Sequence, residues 1–145
     1  GIKSQKEIIE NYRNVQYFGD IYLGSNNSRH SVIFDTGSNI LWVPSIDCKS
    51  CRINSNKFDY DKSKTFINTN KKKIINYAIG SVEGTISKDS ISLDKFDKIK
   101  DYNFLLVNKE SNLNNTKADG VLGIGINNEG DKHNSLIELM YDQNI

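Results

Sequence analysis

The stretch Val32–Ser45, VIFDTGSNILWVPS, decides how the rest of the chain is interpreted. An apolar run, Val32–Phe34, leads directly to a carboxylate, Asp35. The small residues Thr36–Ser38 follow, and a second apolar run, Ile40–Val43, comes after them. β-Branched and aromatic residues bounded by turn formers predict a strand, a tight loop and a second strand. The loop therefore holds one acid at the end of a hydrophobic strand, where burial and neighbouring groups can tune its ionisation.

The residues around Asp35 suit a carboxylate that is held in place. The hydroxyls of Thr36 and Ser38 flank it and can lock it by hydrogen bonds, so Ser38 is predicted as its hydrogen-bond partner. Gly37 permits a sharp turn and the close approach of another backbone. These residues alone leave a second interpretation open, in which Asp-Thr-Gly is a surface turn without chemistry.

Composition narrows the class of protein. The chain has 145 residues, of which 37% are hydrophobic and 26% charged, and this predicts a globular domain with a buried core. The net charge of +1 argues against nucleic acid or an anionic membrane surface as an obligatory partner. No segment approaches the ~20 apolar residues of a membrane-spanning helix. No signal peptide is visible, so the sequence is expected to be either a mature form or an engineered one.

Asp-Thr-Gly-Ser followed by Leu-Trp-Val-Pro-Ser, in one register behind an apolar run, resembles the active-site loop of the pepsin-like aspartic proteases. Tyr17–Gly24 is similar to the strand that opens the mature lobe of that family, and Phe58–Phe66 to a structural segment. Ser87–Leu93 is similar to a segment of the plasmepsins, the malaria-parasite branch. The resemblance implies an all-β fold over residues 1–145. It would be the N-terminal lobe of the bilobal acid-protease fold, with a flap hairpin and one or two short helices.

The stretch Ile74–Leu93 predicts a β-hairpin with glycine near its tip. It resembles the family's flap, which closes over bound peptide, and the matching residues are Tyr77 and Gly80. Ala78 and Ile79 depart from the usual Gly-Thr, which predicts a more apolar roof over the cleft. Taken without the resemblance, Tyr77 is better explained as an ordinary cross-strand aromatic residue.

The resemblance also assigns partners within the predicted cleft. In the family, the flap tyrosine hydroxyl pairs with the indole N–H of the tryptophan that matches Trp42, and a buried indole needs such an acceptor. Together with Tyr77 and Ile79, the side chains of Ile33 and Trp42 are predicted to line a pocket for a hydrophobic substrate side chain.

The segment Asp119–Gly125, DGVLGIG, is similar to the family's motif that crosses behind the active-site loop in a ψ-shaped arrangement. Leu122 and Gly123 are its structural residues, and Gly123 would let two backbones meet. A phosphate-binding loop is disfavoured because no Lys-Ser/Thr follows the glycines. Ser135–Tyr141 has apolar residues at helical spacing, with Ser135 as a cap, and predicts a short helix.

The two cysteines, Cys48 and Cys51, follow the second apolar strand. In a secreted or vacuolar protein they would close a very small disulfide loop, and pepsin-like enzymes carry a disulfide loop here with a longer spacing. A reduced structural pair stays open. A redox pair lacks a surrounding βαβ pattern, and zinc would need four ligands.

The remaining segments give weaker predictions. Asn68–Lys73 is expected to form a charged turn, with its lysines on a solvated hairpin edge. Phe104–Val107 is expected to form a short buried strand, and Asn108–Lys117 a loop. The two histidines, His30 and His133, have polar neighbours in sequence and are expected at the surface.

The function that the resemblance implies is hydrolysis of peptide bonds through general acid/base activation of water, with Asp35 as one of two catalytic aspartates and with no cofactor or metal. The chain contains one Asp-Thr-Gly and no Asp-Ser-Gly, so the second acid is expected in the C-terminal lobe of the same enzyme. The isolated chain is then expected to be inactive. The expected partners are peptide or protein substrates, that second lobe and pepstatin-like inhibitors.

Two other functions fit the same residues. One is a homodimeric protease of the retroviral type, in which each chain supplies one Asp-Thr-Gly. The other is a non-catalytic peptide-binding or inhibitor relative that keeps the fold. The family resemblance and the cysteines favour the secretory pathway, a vacuolar or lysosome-like compartment, or the extracellular space.

Overall fold

Alternating buried and exposed side chains organise the chain into strands. The computed structural model describes residues 17–113 and 117–125, and within them the backbone forms seven strands and one 3₁₀ turn. The strands are β1 Phe18–Leu23, β2 Ser28–Asp35, β3 Leu41–Pro44, β4 Ile67–Asn76, β5 Ser81–Ser92, β6 Ile99–Ser111 and β7 Gly120–Gly123; the 3₁₀ turn is Tyr60–Lys62. The all-β prediction is therefore confirmed. The helix predicted at Ser135–Tyr141 lies outside the described residues, as does His133.

All seven strands belong to one sheet, in the order β1-β2-β7-β3-β6-β5-β4. The last strand, β7, lies between β2 and β3, parallel to the first and antiparallel to the second. Two strands that are consecutive in sequence are thus separated by a third from far along the chain. Glycine makes this approach possible, because a Cβ on Gly120 would lie 2.1 Å from the carbonyl oxygen of Trp42.

The sheet buries apolar side chains on both of its faces. One cluster, which we call the outer core, consists of Ile21, Leu23, Val32, Leu41, Val43, Phe58, Ile91, Ile99, Tyr102, Phe104, Leu106 and Leu122. The other, which we call the site-side core, consists of Trp42, Cys48, Cys51, Val82, Leu105, Val107 and Leu113. Burying each large aliphatic or aromatic side chain contributes about 1.5–3 kcal/mol. This packing stabilises the order of the strands.

The disulfide prediction is confirmed, because Cys48 and Cys51 are bonded to each other with their Cα atoms 5.4 Å apart. Both are buried in the site-side core. The reduced pair, the redox pair and the zinc site are therefore not the arrangement in this structure.

A buried carboxylate, Asp89 on β5, explains why the stretch Phe58–Phe66 is structural. Asp89 is 0% exposed and accepts hydrogen bonds from Ser63 Oγ at 2.7 Å, Thr65 Oγ1 at 2.6 Å and the amide of Ser90 at 2.7 Å. Such a carboxylate stays buried because each of its bonds is made inside the protein. Asp89 thereby fastens the segment after the 3₁₀ turn to the sheet.

Two predictions about local structure were wrong. Asn68–Lys73 is not a turn, because these residues lie within β4 and pair with β5 across a bulge between Asn68 and Lys71. Asn70, with φ at 59°, sits in that bulge. The loop predicted at Asn108–Lys117 is wrong over Asn108–Ser111, because the 13-residue strand β6 continues through Ser111; the buried strand predicted at Phe104–Val107 is confirmed as the middle of β6. Pairing with the long strand β5 outweighs the polar composition of both segments. The lysines 71–73 are exposed on the outermost strand, as expected for a solvated edge.

The prediction that His30 is a surface residue was also wrong, because its side chain is 0% exposed. Its ring lies 2.9 Å from the carbonyl oxygen of Asn56 through Nδ1 and 2.9 Å from Ser28 Oγ through Nε2. A carbonyl only accepts, so Nδ1 carries the proton and Nε2 accepts from the serine hydroxyl. The alternation of β2 places His30 on the same face as Val32 in the outer core, whatever its sequence neighbours are.

Burial of His30 predicts that stability falls in mild acid. Desolvation lowers the pKa of this imidazole below 6.5, opposed by the Asn56 hydrogen bond and the charge of Asp119. The folded state therefore favours the neutral ring. As pH falls through about 6.5, His30 becomes protonated in the unfolded chain but stays neutral in the folded chain. The free energy of unfolding then decreases by at most about 1.4 kcal/mol per pH unit until the lowered pKa is reached.

Urea unfolding at several pH values between 5 and 8 measures this effect. Below pH ~6.5, the free energy of unfolding of the wild type should decrease relative to that of His30→Gln measured at the same pH. Comparison at equal pH is needed because burial raises the pKa of Glu110 to about 7, which acts in the opposite direction. Parallel pH profiles for the two proteins would exclude His30 as the titrating group.

Candidate active site

Asp35 ends strand β2 and lies opposite Gly123 of β7 in the parallel register. The residue is half-buried, and its Oδ1 accepts a hydrogen bond from the amide of Gly37 at 2.9 Å. Its own carbonyl oxygen accepts from the amide of Ile124 at 2.8 Å. The carboxylate is thus fixed both by its own turn and by the strand beside it, and it keeps contact with solvent.

The loop after Asp35 is pressed against the end of β7. The amide of Gly123 donates to the carbonyl oxygen of Ile40 at 2.9 Å, and the amide of Gly125 donates to that of Ser38 at 2.7 Å. A Cβ on Gly123 would lie 2.4 Å from the backbone nitrogen of Ile40, which is too close for any other residue. The end of β7, around Leu122 and Gly123, therefore fixes the loop after Asp35 through backbone hydrogen bonds, in the ψ-shaped arrangement that the resemblance implied.

The prediction that Ser38 is the hydrogen-bond partner of Asp35 does not match the structure. Ser38 Oγ is buried and has no hydrogen-bond partner within the described residues. In this tight turn the amide two residues after the aspartate donates to the carboxylate, as in an Asx turn. Thr36 and Gly37 are both exposed at the surface of the loop.

An apolar row crosses the sheet on the face that carries Asp35. Directly paired residues share a face, and the pairs run Ile33–Val121, Val121–Trp42, Trp42–Leu105 and Leu105–Ile86. Ile33 and Asp35, two residues apart on β2, lie on this same face. The row brings together the predicted residues Ile33 and Trp42. It also contains Val121 and Leu105, which the sequence did not assign to the site because their strands pair over a long sequence distance.

The β4–β5 hairpin ends in the turn Tyr77–Gly80. The turn is closed by a hydrogen bond from the amide of Tyr77 to the carbonyl oxygen of Gly80 at 2.7 Å. Ala78 and Ile79 are exposed at its tip, and Ile79 is 44% exposed. A Cβ on Gly80 would lie 2.1 Å from the carbonyl oxygen of Ser111, so this end of the hairpin packs against the end of β6.

A hydrogen bond joins the hairpin to the apolar row. Trp42 Nε1 donates to the hydroxyl of Tyr77 at 2.9 Å, as the family resemblance implied, and the indole is only 3% exposed. Burial raises the pKa of Tyr77, the bond from Trp42 opposes this, and the charge of Asp35 raises it further. The bond from Trp42 to Tyr77 joins the hairpin to the face of the sheet that carries Asp35.

A second buried carboxylate, Asp119, supports the strands beneath the site. It is 6% exposed, and it accepts from the amides of Ser31 and Asn56, each at 2.8 Å. Arg52 Nη2 lies 3.6 Å from its Oδ1. Asp119 thus ties the start of β7 to β2 and to the segment after the disulfide. Sequence patterns gave no role to this acid, although a lone carboxylate leading an apolar, glycine-rich segment was a usable signal.

No group of three or more His, Cys, Asp or Glu in residues 17–113 and 117–125 is arranged to hold a metal ion. Over the same part of the chain, no helix is both long enough and apolar enough to span a membrane.

Several known proteins are similar to this chain in sequence. The family model for eukaryotic aspartyl proteases matches residues 16–145. Cathepsin D of Gallus gallus is 36% identical over 124 residues, which covers 81% of this chain and 31% of the relative. Pepsin A of Gallus gallus is 39% identical over 121 residues, covering 81% and 33%. Chymosin of Camelus dromedarius is 45% identical over 93 residues, covering 63% and 24%. The chain therefore spans about a quarter to a third of the length of these relatives.

Proposed function

Because the chain belongs to the eukaryotic aspartyl protease family, we propose that it is the N-terminal lobe, residues 1–145, of a pepsin-like aspartic endopeptidase. Asp35 is one of its two catalytic carboxylates. The observation that carries this proposal is the position of Asp35, fixed at the end of β2 on the face of the sheet whose Trp42 is hydrogen-bonded to Tyr77 of the hairpin. A surface turn without chemistry would not need a strand from 85 residues further along the chain, Gly120–Gly123, packed against it.

The chemistry requires two carboxylates that share one proton and hold a water molecule between them. The ionised carboxylate takes a proton from the water as its oxygen attacks the scissile carbonyl carbon, and the protonated one donates to the carbonyl oxygen. A proton then passes to the departing amine as the C–N bond breaks. Two carboxylates at this distance cannot both ionise easily, so the pair titrates as a unit. A single carboxylate in an open groove activates water poorly.

The second carboxylate is proposed to lie in another part of the protein. Residues 1–145 contain one Asp-Thr-Gly, and the matched part of this chain covers only 24–33% of the length of the relatives named above. A C-terminal lobe is thus the proposed partner of this one, with a peptide or protein as substrate and pepstatin-like molecules as inhibitors. This mechanism uses side chains and water alone.

The substrate side chain that enters this lobe is proposed to be hydrophobic. Ile33 and Trp42 lie in the apolar row beside Asp35, and Tyr77 is bonded to Trp42. Ile79, exposed at the tip of the hairpin, adds an apolar group to the roof. Ala78 and Ile79 carry no side-chain hydrogen-bond donor, so the tip would bind substrate through packing and backbone groups.

The match over residues 16–145 to a eukaryotic family favours the two-lobed enzyme over a retroviral-type homodimer, and the intact Asp-Thr-Gly-Ser loop argues against a non-catalytic relative. The Cys48–Cys51 disulfide supports a secretory, vacuolar, lysosome-like or extracellular location.

The likeness of Ser87–Leu93 to a plasmepsin segment supports placing the protein in the plasmepsin branch of the family.

The proposal is tested by assaying the full-length protein on an unfolded protein substrate over a range of pH. Cleavage should increase in acid and stop when pepstatin is added. Cleavage that pepstatin leaves untouched and that a metal chelator or a serine-directed reagent abolishes would contradict the assignment.

Tyr77→Phe is expected to lower kcat/KM about 5- to 30-fold in the full-length protein. The substitution removes the acceptor of a buried indole N–H. This loss destabilises the ordered position of the hairpin over the cleft by about 1–2 kcal/mol. Tyr60→Phe is a matched control, because it also removes a tyrosine hydrogen bond, to Asp47 Oδ2, away from the site. Equal activity in the Tyr77 variant and the wild type would exclude a role for this bond.

A further inference from the structure

The hairpin turn between β1 and β2 contains the tripeptide Asn26-Asn27-Ser28. Asparagine followed by any residue except proline and then by serine or threonine is the acceptor sequence for N-linked glycans in secreted proteins. We propose that Asn26 is an N-glycosylation site. This inference does not depend on the proteolytic function proposed above.

The position of Asn26 in the fold suits a bulky modification. The turn is closed by a hydrogen bond from the amide of Asn27 to the carbonyl oxygen of Gly24 at 3.2 Å, so Asn26 lies at its tip. Asn26 is exposed and makes no side-chain hydrogen bond within the described residues. A glycan on its Nδ2 would therefore extend into solvent and break no contact of the folded protein.

The neighbouring Asn27 provides an internal contrast. It is followed by Ser28 and then Arg29, so it does not begin an acceptor sequence. Its Oδ1 is buried, and its backbone adopts a φ of 52°. Of these two adjacent asparagines, both the acceptor sequence and the exposure favour Asn26 as the glycosylated residue.

The disulfide indicates that the chain meets the compartment in which such glycans are attached. The Cys48–Cys51 bond lies in the part of the chain that the structure describes, and disulfides form and persist in oxidising compartments such as the endoplasmic reticulum. Asn26 also lies far from the acidic loop. The seven residue steps of β2 from Ser28 to Asp35 span about 24 Å. A glycan at the turn would thus leave the proposed cleft open.

In the transfer step, Asn26 Nδ2 bonds to C1 of the first sugar of a lipid-linked oligosaccharide. The bond between C1 and the phosphate oxygen breaks, the lipid pyrophosphate leaves, and the nitrogen releases one proton. The Ser28 hydroxyl, which completes the acceptor sequence, is bonded to His30 Nε2 at 2.9 Å in the folded protein. Transfer therefore precedes folding of this hairpin, while that hydroxyl is still free.

Expression of the full-length protein behind a signal sequence in a glycosylating eukaryotic host tests this proposal. The microsomal and secreted fractions are treated with peptide N-glycosidase in ¹⁸O-water and digested with trypsin. The peptide 14–29 should carry ¹⁸O-aspartate at position 26. A second acceptor sequence, Asn114-Asn115-Thr116, falls in a different tryptic peptide and does not confuse the result.

Three variants make the outcome specific. Asn26→Gln and Ser28→Ala should both lose the label in the peptide, and Ser28→Thr should keep it. Because transfer precedes folding, the microsomal fraction reports on variants that fail to be secreted. An unlabelled position 26 in wild-type protein whose Cys48–Cys51 disulfide has formed would overturn the proposal. So would label that persists in Ser28→Ala.

Discussion

Replacing Asp35 by Asn in the full-length protein is expected to lower kcat by about 10⁴-fold or more while the fold is retained. Asparagine has the same shape and keeps an oxygen that can accept the Gly37 amide, so the turn remains intact. It cannot take a proton from water, and it removes the shared proton on which the pair depends. Steady-state cleavage at acid pH measures the loss, and urea unfolding verifies the fold.

Asp94→Asn is the matched control for this substitution. Asp94 also accepts the amide two residues further on, from Phe96 at 2.8 Å, but it lies in an exposed turn between β5 and β6. The control should keep wild-type activity. Full activity in Asp35→Asn would remove Asp35 from the mechanism, whatever the family of the chain.

Asp119→Ala is expected to lower the free energy of unfolding by about 3–5 kcal/mol. Truncation leaves the part-buried amides of Ser31 and Asn56 without the acceptor they share, and it removes the counter-charge of Arg52. Because Asp119 is 6% exposed, water cannot replace the lost acceptor. The urea midpoint at pH 7 measures the loss.

Asp94→Ala separates burial from hydrogen bonding in this experiment. Asp94 accepts two backbone amides, as Asp119 does, from Phe96 at 2.8 Å and from Asp97 at 2.9 Å. It is exposed, so water can satisfy both donors after truncation, and the midpoint should change little. If the two alanine variants shifted the midpoint equally, the interior position of Asp119 would not be the source of its contribution.

The strands that local patterns specify strongly were predictable from the sequence. Val32–Phe34 and Ile40–Val43 are apolar runs with a turn between them, and both lie in or next to β2 and β3. The structure differs from the prediction where pairing with another strand determines the conformation. Asn68–Lys73 has the composition of a turn, and it becomes a strand because β5 offers it a partner across the hairpin. Such a pairing energy is absent from the segment's own composition.

At the site, the hydrogen bond between Trp42 and Tyr77 followed from the resemblance, because both residues match a known pair. The errors concerned side chains whose surroundings are formed by remote segments. His30 is buried against Asn56 and Phe58. Asp35 accepts from the Gly37 amide, while Ser38 Oγ makes no bond to it. The role of Asp119 depends on Ser31, 88 residues away, which no local pattern reports.

The most direct test is to measure peptide cleavage by the purified chain of residues 1–145, alone at increasing concentration and after mixing with a separately expressed C-terminal lobe. If Asp35 is one half of an acid pair whose other half lies elsewhere in the protein, the chain alone cleaves nothing at any concentration. Mixing should then restore acid-dependent cleavage that pepstatin blocks. Cleavage by the pure chain that rises with the square of its concentration would contradict this, because two copies would then supply both acids.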